Sequence, residues 1–186
     1  MGRLRYITNV SLDGYIEDRN GDFNWSEPDD EVFAHTTELL RPVEVHLYGR
    51  RLYETMAVWE TDPSFAAASD LLAEFAAVWA DADKVVYSTS LEDVVTARTR
   101  IERRFDPDVV RNLKASVDGD LFVGGADVAG QMVAAGLVDE CEWLVRPVLL
   151  GAGKPALGDI GRVDLELVDE RRFAGGIVSL RYRVRN

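Results

Sequence analysis

The stretch DLFVGGADVAGQ, at residues 120–131, places a short apolar run directly before two glycines and a second apolar segment. Asp120–Val123 predicts a strand, and Val128–Ala135 has helical periodicity, with Gly136 as the residue after its end. In open α/β sheets, ligands bind at the carboxyl ends of strands, where helix N-termini present free backbone N–H groups. The turn at Gly124 and Gly125 is therefore a candidate site for a pyrophosphate group.

Two other turns have comparable chemistry. YGRRLYE, at residues 48–54, combines a glycine that lets phosphate approach the backbone with two arginines whose charged forks suit phosphate. STS, at residues 88–90, offers hydroxyl donors without bulk. Each turn also has a purely structural explanation, as plain turn chemistry, solvated surface charge or a cap. It is their joint presence after predicted strands that favours a phosphate-bearing ligand.

Segments typical of strands alternate with segments typical of helices along the chain. Strands are predicted at Leu4–Val10, Val43–Tyr48, Lys84–Tyr87, Asp120–Val123 and Glu140–Val148. Helices are predicted at Pro28–Leu40, about 50–56, Leu71–Trp79, Asp106–Ala115 and Val128–Ala135. Ser26 is a candidate N-cap for the first of these helices. Leu165–Glu170 and Ile177–Val184 predict a closing antiparallel strand pair. The alternation predicts one α/β domain over residues 1–186, with a mixed, mostly parallel sheet and helices on both faces.

Composition narrows the functional classes. The chain has a formal net charge of −12, which is unlike the basic surface of a general nucleic-acid binder. Cys141 is the single cysteine, so an intramolecular disulfide and a multi-cysteine zinc site are excluded, and we expect no metal site. No apolar run approaches the roughly 18 residues of a membrane span, and the N-terminus lacks a signal-peptide pattern. We therefore expect a cytoplasmic protein without nucleic-acid or membrane partners.

Five motifs occur in a fixed order over nearly the whole chain. They are NVSLDGYI (residues 9–16), GRRLYE (residues 49–54), VGG (residues 123–125), GLVDE (residues 136–140) and RPVLLGAG (residues 146–153). Together they resemble the dihydrofolate reductase-like superfamily, and in particular the reductase domain of the bifunctional riboflavin-biosynthesis deaminase/reductase. The first and last motifs favour this riboflavin-type branch over true folate reductases. The resemblance implies a dihydrofolate reductase-like fold.

The resemblance also implies NADPH as the cofactor and a homodimer. Arg50 is the favoured partner of the 2′-phosphate, and Asn9 and Ile16 are expected beside the nicotinamide ring. The full set of implied cofactor-binding residues is Asn9, Ile16, Gly49, Arg50, Arg51, Leu52, Ser88, Thr89, Gly124, Gly125, Ala126, Asp127, Val128 and Gln131. Hydride chemistry belongs to the cofactor, and the protein supplies position and electrostatics.

Three residues are candidates for the substrate side. Asp30 lies five residues after Trp25, as does a carboxylate that binds the pteridine ring in folate reductases, although acidic residues in a first turn also serve the helix dipole. Asp13, in the Ser-Leu-Asp-Gly motif, is a second catalytic candidate or simply forms the turn. Arg146 is expected near the substrate pocket, as a substrate-binding residue or in a salt bridge at the rim.

The sequence thus predicts an NADPH-dependent reductase of a pyrimidine- or pterin-like heterocycle. The first candidate substrate is 5-amino-6-(5-phosphoribosylamino)uracil, although residues 17–31 contain seven acidic residues and one arginine, which disfavours a phosphorylated sugar. Three alternatives stay open: dihydrofolate reductase-type activity, a non-catalytic dinucleotide-binding or scaffold protein, and a hydrolase that uses Asp13, Asp29 or Asp30.

Overall fold

β1 (Leu4–Ser11), the first apolar run of the chain, lies inside an eight-stranded sheet in the computed structural model, which describes residues 1–185. The other strands are β2 (Tyr15–Asp18), β3 (Val43–Gly49), β4 (Asp83–Tyr87), β5 (Thr99–Glu102), β6 (Asp120–Gly124), β7 (Glu140–Arg146), β8 (Gly153–Pro155), β9 (Asp164–Arg172) and β10 (Val178–Arg185). The sheet has the order β5-β4-β3-β6-β1-β7-β10-β9. β2 and β8 form a separate antiparallel ribbon.

The pairing confirms the predicted mixed sheet. β5, β4, β3, β6, β1 and β7 run parallel to one another, and β10 runs antiparallel to both β7 and β9. The carboxyl ends of the parallel strands therefore meet along one edge of the sheet. β2, β5 and β8 were not predicted, because segments of three or four residues are too short for a clear alternating pattern.

Helices cover both faces of the sheet, as predicted. They are α1 (Asp30–Leu40), α2 (Arg50–Met56), α3 (Val58–Thr61), α4 (Pro63–Ala66), α5 (Asp70–Asp81), α6 (Pro107–Ser116) and α7 (Ala126–Ala134), and a single 3₁₀ turn spans Asn24–Ser26. On one face, α1 and α5 pack Leu40, Phe75 and Trp79 against the sheet. On the other, α6 and α7 pack Val110 and Met132. Alternate residues of each strand pack into these two cores, because successive side chains of a strand point to opposite faces of the sheet.

The longer helices begin in two different ways. Asp29, Ser69 and Asp106 cap α1, α5 and α6 with side-chain oxygens that accept backbone N–H groups of the first turn. The expectation of Ser26 as the cap of α1 was wrong, because the helix begins at Asp30 and the Asp29 carboxylate fills the position. Gly49 and Gly125, which precede α2 and α7, offer no side chain. The starts of α2 and α7 therefore keep backbone N–H groups available for another partner.

Most predicted elements begin or end one or a few residues away from their bounds in the structure, and two differences at the carboxyl edge of the sheet have a clear cause. β7 ends at Arg146 rather than Val148, since Pro147 has no N–H with which to continue the strand ladder. The Ser88–Ser90 turn opens a loop that leads to β5, so it is not a strand-to-helix turn. Within residues 1–185, no helix is long and apolar enough to cross a membrane, and no group of His, Cys, Asp and Glu side chains could hold a metal ion.

Candidate functional site

A cleft of about 1310 Å³ runs along the carboxyl ends of the parallel strands. It is bordered by the ends of β1, β3, β4 and β5, the first turns of α2 and α7, the β2–β8 ribbon and the segment that precedes α1. The predicted cofactor-binding residues that line it are Asn9, Ile16, Gly49, Arg50, Arg51, Leu52, Ser88, Thr89, Gly125, Ala126, Asp127, Val128 and Gln131. Residues from three turns, separated by up to about two fifths of the chain, thus share one cavity.

The turns before α2 and α7 meet at two glycines. Gly125 has a φ of 97°, which L-residues with side chains rarely adopt, and a Cβ added there would lie 3.5 Å from the backbone nitrogen of Gly49. In α7, the N–H of Ala129 donates to the Gly125 carbonyl at 2.9 Å, as the first bond of the helix. The preceding amides therefore have no partner within the helix. This is a surface of backbone donors on which a phosphate can rest without side-chain obstruction.

Gly124 is the one predicted cofactor-binding residue that does not line the cleft. It is buried, and a Cβ added there would collide with Leu52 and lie 2.9 Å from the Phe122 ring. The structure therefore gives this glycine a packing role between β6 and α2. Gly125 is required by its backbone conformation and Gly124 by close packing, and the sequence alone does not distinguish these two requirements.

One end of the cleft is bordered by Arg50, the Ser88–Ser90 turn and the pair Arg103–Arg104, and it is rich in positive charge. We call it the nucleotide end, after the cofactor that the sequence leads us to expect there. Arg50 has a partner on its own helix, Glu54, whose carboxylate lies 3.2 Å from the guanidinium. Arg104 makes no ion pair or hydrogen bond within residues 1–185. In a chain with net charge −12, this concentration of arginines favours an anionic ligand locally.

Arg103 and Arg104 were missed by the sequence analysis. They follow β5, a four-residue edge strand whose polar side chains hide it from an apolar-pattern search. The Arg103 guanidinium donates to the backbone carbonyl of Ser88 at 3.1 Å and to that of Leu91. It thus holds the Ser88–Ser90 turn at the cleft. The sequence feature that could have revealed this part of the site is the pair of arginines directly after the short β-forming segment Thr99–Glu102.

Two ion pairs join the β2–β8 ribbon to the helix starts. Arg51 lies 3.4 Å from the Glu17 carboxylate, and Lys154 lies 2.9 Å from that of Asp127. All four residues line the cleft. In the middle of the cleft each positive side chain thus pairs with a carboxylate, whereas Arg104, which makes no ion pair within residues 1–185, lies at the nucleotide end.

Arg146 lies behind the wall of the cleft and does not line it. The residue is 4% exposed. Its Nε and Nη2 donate to the Oδ1 of Asn9 at 3.1 and 2.8 Å, and its Nη1 donates to the Glu27 carbonyl at 3.2 Å. Burial lowers the pKa of this guanidinium, and the nearby charge of Asp29 opposes that shift. The structure corrects both expectations for Arg146, because it neither reaches the cavity nor forms a salt bridge at the rim.

The two predicted catalytic carboxylates also lie outside the lining of the cleft. Asp13 accepts hydrogen bonds from the Ser11 hydroxyl at 2.7 Å and from the backbone N–H groups of Leu150 and Gly151. The bond from Ser11 contributes most to lowering its pKa, followed by that from Gly151. Asp13 therefore ties the turn after β1 to the loop after β7. Asp30 is an exposed residue in the first turn of α1.

The carboxylate that does line the cleft before α1 is Glu27. Sequence reasoning passed over it because the spacing from Trp25 favours Asp30. Ser26 and Pro28 line the same part of the cleft. The 3₁₀ turn at Asn24–Ser26 shifts the chain so that residues before the helix, rather than its first turn, face the cavity.

A protein-family model, the RibD C-terminal domain, matches residues 4–179. A curated relative, the uncharacterized protein YyaP of Bacillus subtilis (strain 168), is 29% identical over 178 residues, which are 93% of this chain and 90% of that protein.

Solved structures share the fold. A putative riboflavin biosynthesis protein from Shewanella sp. PV-4 has a TM-score of 0.78 at 19% identity and 99% coverage of both chains. The diaminohydroxyphosphoribosylaminopyrimidine deaminase/5-amino-6-(5-phosphoribosylamino)uracil reductase of Thermotoga maritima has a TM-score of 0.66 at 17% identity, with 99% of this chain covering 57% of that one. A pyrimidine reductase-like protein from Corynebacterium diphtheriae has a TM-score of 0.64 at 12% identity, covering 100% of this chain and 92% of that one.

At these identities the structural neighbours show the fold, which is dihydrofolate reductase-like, as expected from the five motifs. The family model covers almost the whole length of the chain, and the matched residues include every residue that lines the cleft. The protein therefore belongs to the RibD C-terminal domain family, a reductase-like family of riboflavin biosynthesis.

Proposed function

We propose that this protein is an NADPH-dependent reductase that transfers a hydride to a pyrimidine-like heterocycle. One observation carries the proposal: a single cleft combines a glycine-lined, arginine-bordered nucleotide end with a second end beside Asn9 and Glu27. At about 1310 Å³ the cavity exceeds the roughly 300–1000 Å³ of a pocket for one small ligand. Its size supports the binding of two ligands together, as hydride transfer requires.

The residues at the helix starts fit a dinucleotide. Gly125 and Gly49 leave backbone N–H groups open where side chains would otherwise stand, so the first turn of α7 would hold the pyrophosphate. Ile16 would border the nicotinamide, and Asn9, at the second end of the cleft, would lie where the nicotinamide meets the acceptor. When bound, the nicotinamide supplies the hydride, and the protein's contribution is to hold donor and acceptor in contact and to exclude water.

The arginines at the nucleotide end support NADPH rather than NADH. NADPH differs by a 2′-phosphate on the adenosine ribose, and a guanidinium fork matches phosphate geometry. Arg50 and Arg104 border the hydroxyl-rich Ser88–Ser90 turn, which adds neutral donors. The proposed 2′-phosphate site therefore includes Arg50 from the sequence analysis and Arg104 from the structure.

An acceptor panel tests the proposal. Purified protein is mixed with NADPH and, in turn, 5-amino-6-(5-phosphoribosylamino)uracil, its dephosphorylated counterpart and dihydrofolate, and NADPH oxidation is followed by absorbance. We expect oxidation with a pyrimidine acceptor and little with dihydrofolate. NADPH binding without oxidation of any heterocycle would overturn the reductase and support a non-catalytic dinucleotide-binding protein instead.

A further inference from the structure

The buried guanidinium of Arg146 fixes the orientation of the Asn9 amide. Two nitrogens of Arg146 bond to Asn9 Oδ1, at 3.1 and 2.8 Å. A guanidinium has only donors, so the amide oxygen must face it and the amide NH₂ must face away. Asn9 is partly exposed in the cleft, and its Nδ2 makes no hydrogen bond within residues 1–185. The NH₂ group is therefore a fixed donor available to a ligand.

The same guanidinium places Glu27 next to Asn9. Nη1 of Arg146 donates to the Glu27 carbonyl at 3.2 Å while Nη2 donates to Asn9, so one planar group holds both residues. Glu27 lines the cleft, and among the described residues its carboxylate has no hydrogen-bond or ion-pair partner. An ionised carboxylate is a pure acceptor. A fixed donor and a free acceptor thus border the same cleft, on residues whose positions are tied to one guanidinium.

The charge at this end is opposite to that at the nucleotide end. Glu27 is an acidic residue that lines the cleft here, and the acidic residue in the middle of the cleft, Glu17, already pairs with Arg51. The charge of Arg146 is turned into the wall and all three of its donating nitrogens are engaged. A phosphate group there would meet the negative charge of the Glu27 carboxylate, and like charges repel.

We propose that the acceptor end, defined by Asn9, Glu27 and Arg146, recognises the lactam edge of a heterocycle that carries no phosphate. Asn9 donates to the ring carbonyl, and Glu27 accepts from the neighbouring ring N–H. Arg146 is a positioning residue that acts through both. This inference rests on the proposed function, since it names the class of acceptor for the same cleft.

Ligand pairs on the wild-type protein test it directly. 1-Methyluracil and 1,3-dimethyluracil differ by one methyl group that removes the N3–H, and uridine and uridine 5′-monophosphate differ by the phosphate. Dissociation constants are measured by ligand-observed NMR without NADPH. We expect the first member of each pair to bind at least about tenfold more tightly, because an unpaired polar group or repelled charge weakens binding by about this factor or more. Equal affinities within a pair, a reversed order, or no binding of either pyrimidine would overturn the inference.

Variants identify the residues. Asn9→Asp keeps a partner for Arg146 and replaces the NH₂ donor with an acceptor, so we expect at least about tenfold weaker binding of 1-methyluracil. Asn112→Asp, the same change on an exposed face of α6, is the matched control and should leave this affinity within twofold. A loss of NADPH affinity in Asn9→Asp without a loss of pyrimidine affinity would assign Asn9 to the nicotinamide and overturn the inference.

Arg146→Lys tests positioning separately. It retains the charge but cannot hold Asn9 and Glu27 through one planar group. We expect the affinity ratio between 1-methyluracil and 1,3-dimethyluracil to collapse towards one, whereas a merely structural role would weaken both ligands equally and contradict the inference. The pyrimidine measurements do not use NADPH. Pyrimidine discrimination without NADPH oxidation would therefore overturn only the reductase, and oxidation without discrimination only this inference.

Discussion

The nucleotide end and the acceptor end of the cleft are built by different means. At the nucleotide end, ligand-facing groups belong to short continuous motifs, such as Gly49 with Arg50 and Gly125 with the first turn of α7. At the acceptor end, Arg146 bonds to Asn9 and to Glu27 across 137 and 119 residues of sequence. A site of the first kind can be recognised in a sequence, whereas a site of the second kind exists only after the sheet has formed.

Two helix starts illustrate the same contrast. α1 satisfies its first turn with the Asp29 carboxylate, which accepts from the Val32 N–H at 2.9 Å. α7 begins at Gly125 and has no side-chain cap. Both helices begin near the cleft, but only α7 presents unoccupied donors to it. The choice of cap residue therefore decides which helix start can serve an anionic ligand.

The largest effect is expected at the acceptor end, in Arg146→Met. The change leaves Asn9 Oδ1 and the Glu27 carbonyl without donors, so we expect the free energy of unfolding to fall by about 4 kcal/mol. Denaturant unfolding measures this loss. Arg111→Met, on the exposed side of α6, should change stability by less than about 1 kcal/mol, because its ion pair with Asp108 is solvent-exposed. Equal losses in both variants would show that Arg146 has no special structural role.

A second test separates two glycines at the nucleotide end. Gly125→Ala forces a side chain into a backbone conformation with φ of 97°, which should reduce stability by about 1–3 kcal/mol and weaken NADPH binding at least tenfold. Gly130→Ala, in the same helix, meets only ordinary contacts at 3.7 Å and should raise stability by up to about 1 kcal/mol. Unchanged NADPH affinity in Gly125→Ala would break the assignment of this turn to the nucleotide.

A third test uses pH and the core beneath the nucleotide end. Burial, followed by the charge of Lys84, lowers the pKa of His46 to about 3. The unfolded chain takes up a proton on this ring near pH 6.5, whereas the folded protein does not until about pH 3. The stability contributed by neutral His46 is therefore complete above that unfolded pKa and decreases as the pH falls. We expect a loss of about 2 kcal/mol between about pH 7 and pH 5.

His46→Gln is the control for this loss, because it keeps a polar group and removes the titration. In the wild type, Tyr48 donates to or accepts from Nδ1 of the ring at 3.0 Å, and Trp79 donates to the same hydroxyl. The variant should therefore be less stable at neutral pH but have a shallower pH dependence. Parallel stability curves for the two proteins would contradict the assignment of the slope to His46.

Glu142, a buried carboxylate in β7, should respond only to stronger acid. Burial raises the pKa of Glu142, but hydrogen bonds from His35 and Ser179 and the charge of Arg5 outweigh it, so the net shift is downward. The corresponding stability is present above the unfolded pKa of about 4.3 and is lost as the pH falls below it. Glu142→Gln should consequently make the pH dependence of unfolding shallower below about pH 4.3, as denaturant titrations at each pH would show, and an unchanged slope there would contradict the assignment to Glu142.

The smallest effect is expected in Arg50→Ala. Its guanidinium is partly exposed and already shared with Glu54, so its loss should weaken NADPH binding by about fivefold, equivalent to about 1 kcal/mol. NADH, which lacks the 2′-phosphate, should lose less than twofold. Tryptophan-emission titrations measure both, with Arg162→Ala as an exposed control outside the cleft. Equal losses for NADPH and NADH would show that Arg50 does not select between them.

The sequence predicted most of the nucleotide end because local rules govern it. A strand that runs into glycine and an apolar helix is a recognisable pattern, and residues of all three predicted turns line the cleft. It did not predict Arg104 at the cleft, because β5 is short and polar. It placed Arg146 at the pocket or its rim and left open whether Asp13 and Asp30 face the substrate, because residue type and spacing do not show whether a charged side chain faces a cavity or serves a turn.

By itself, the sequence determined the order of strands and helices, the glycine turns and the resemblance that identifies the family. These properties depend on periodicity and backbone conformation, which act over a few residues. Only the tertiary structure decided that Arg146 is buried, that Asn9 presents its NH₂ group to the cleft and that Glu27 lies beside it. The physical reason is that a buried guanidinium needs acceptors, and pairing β7 with β1 brings those acceptors to it.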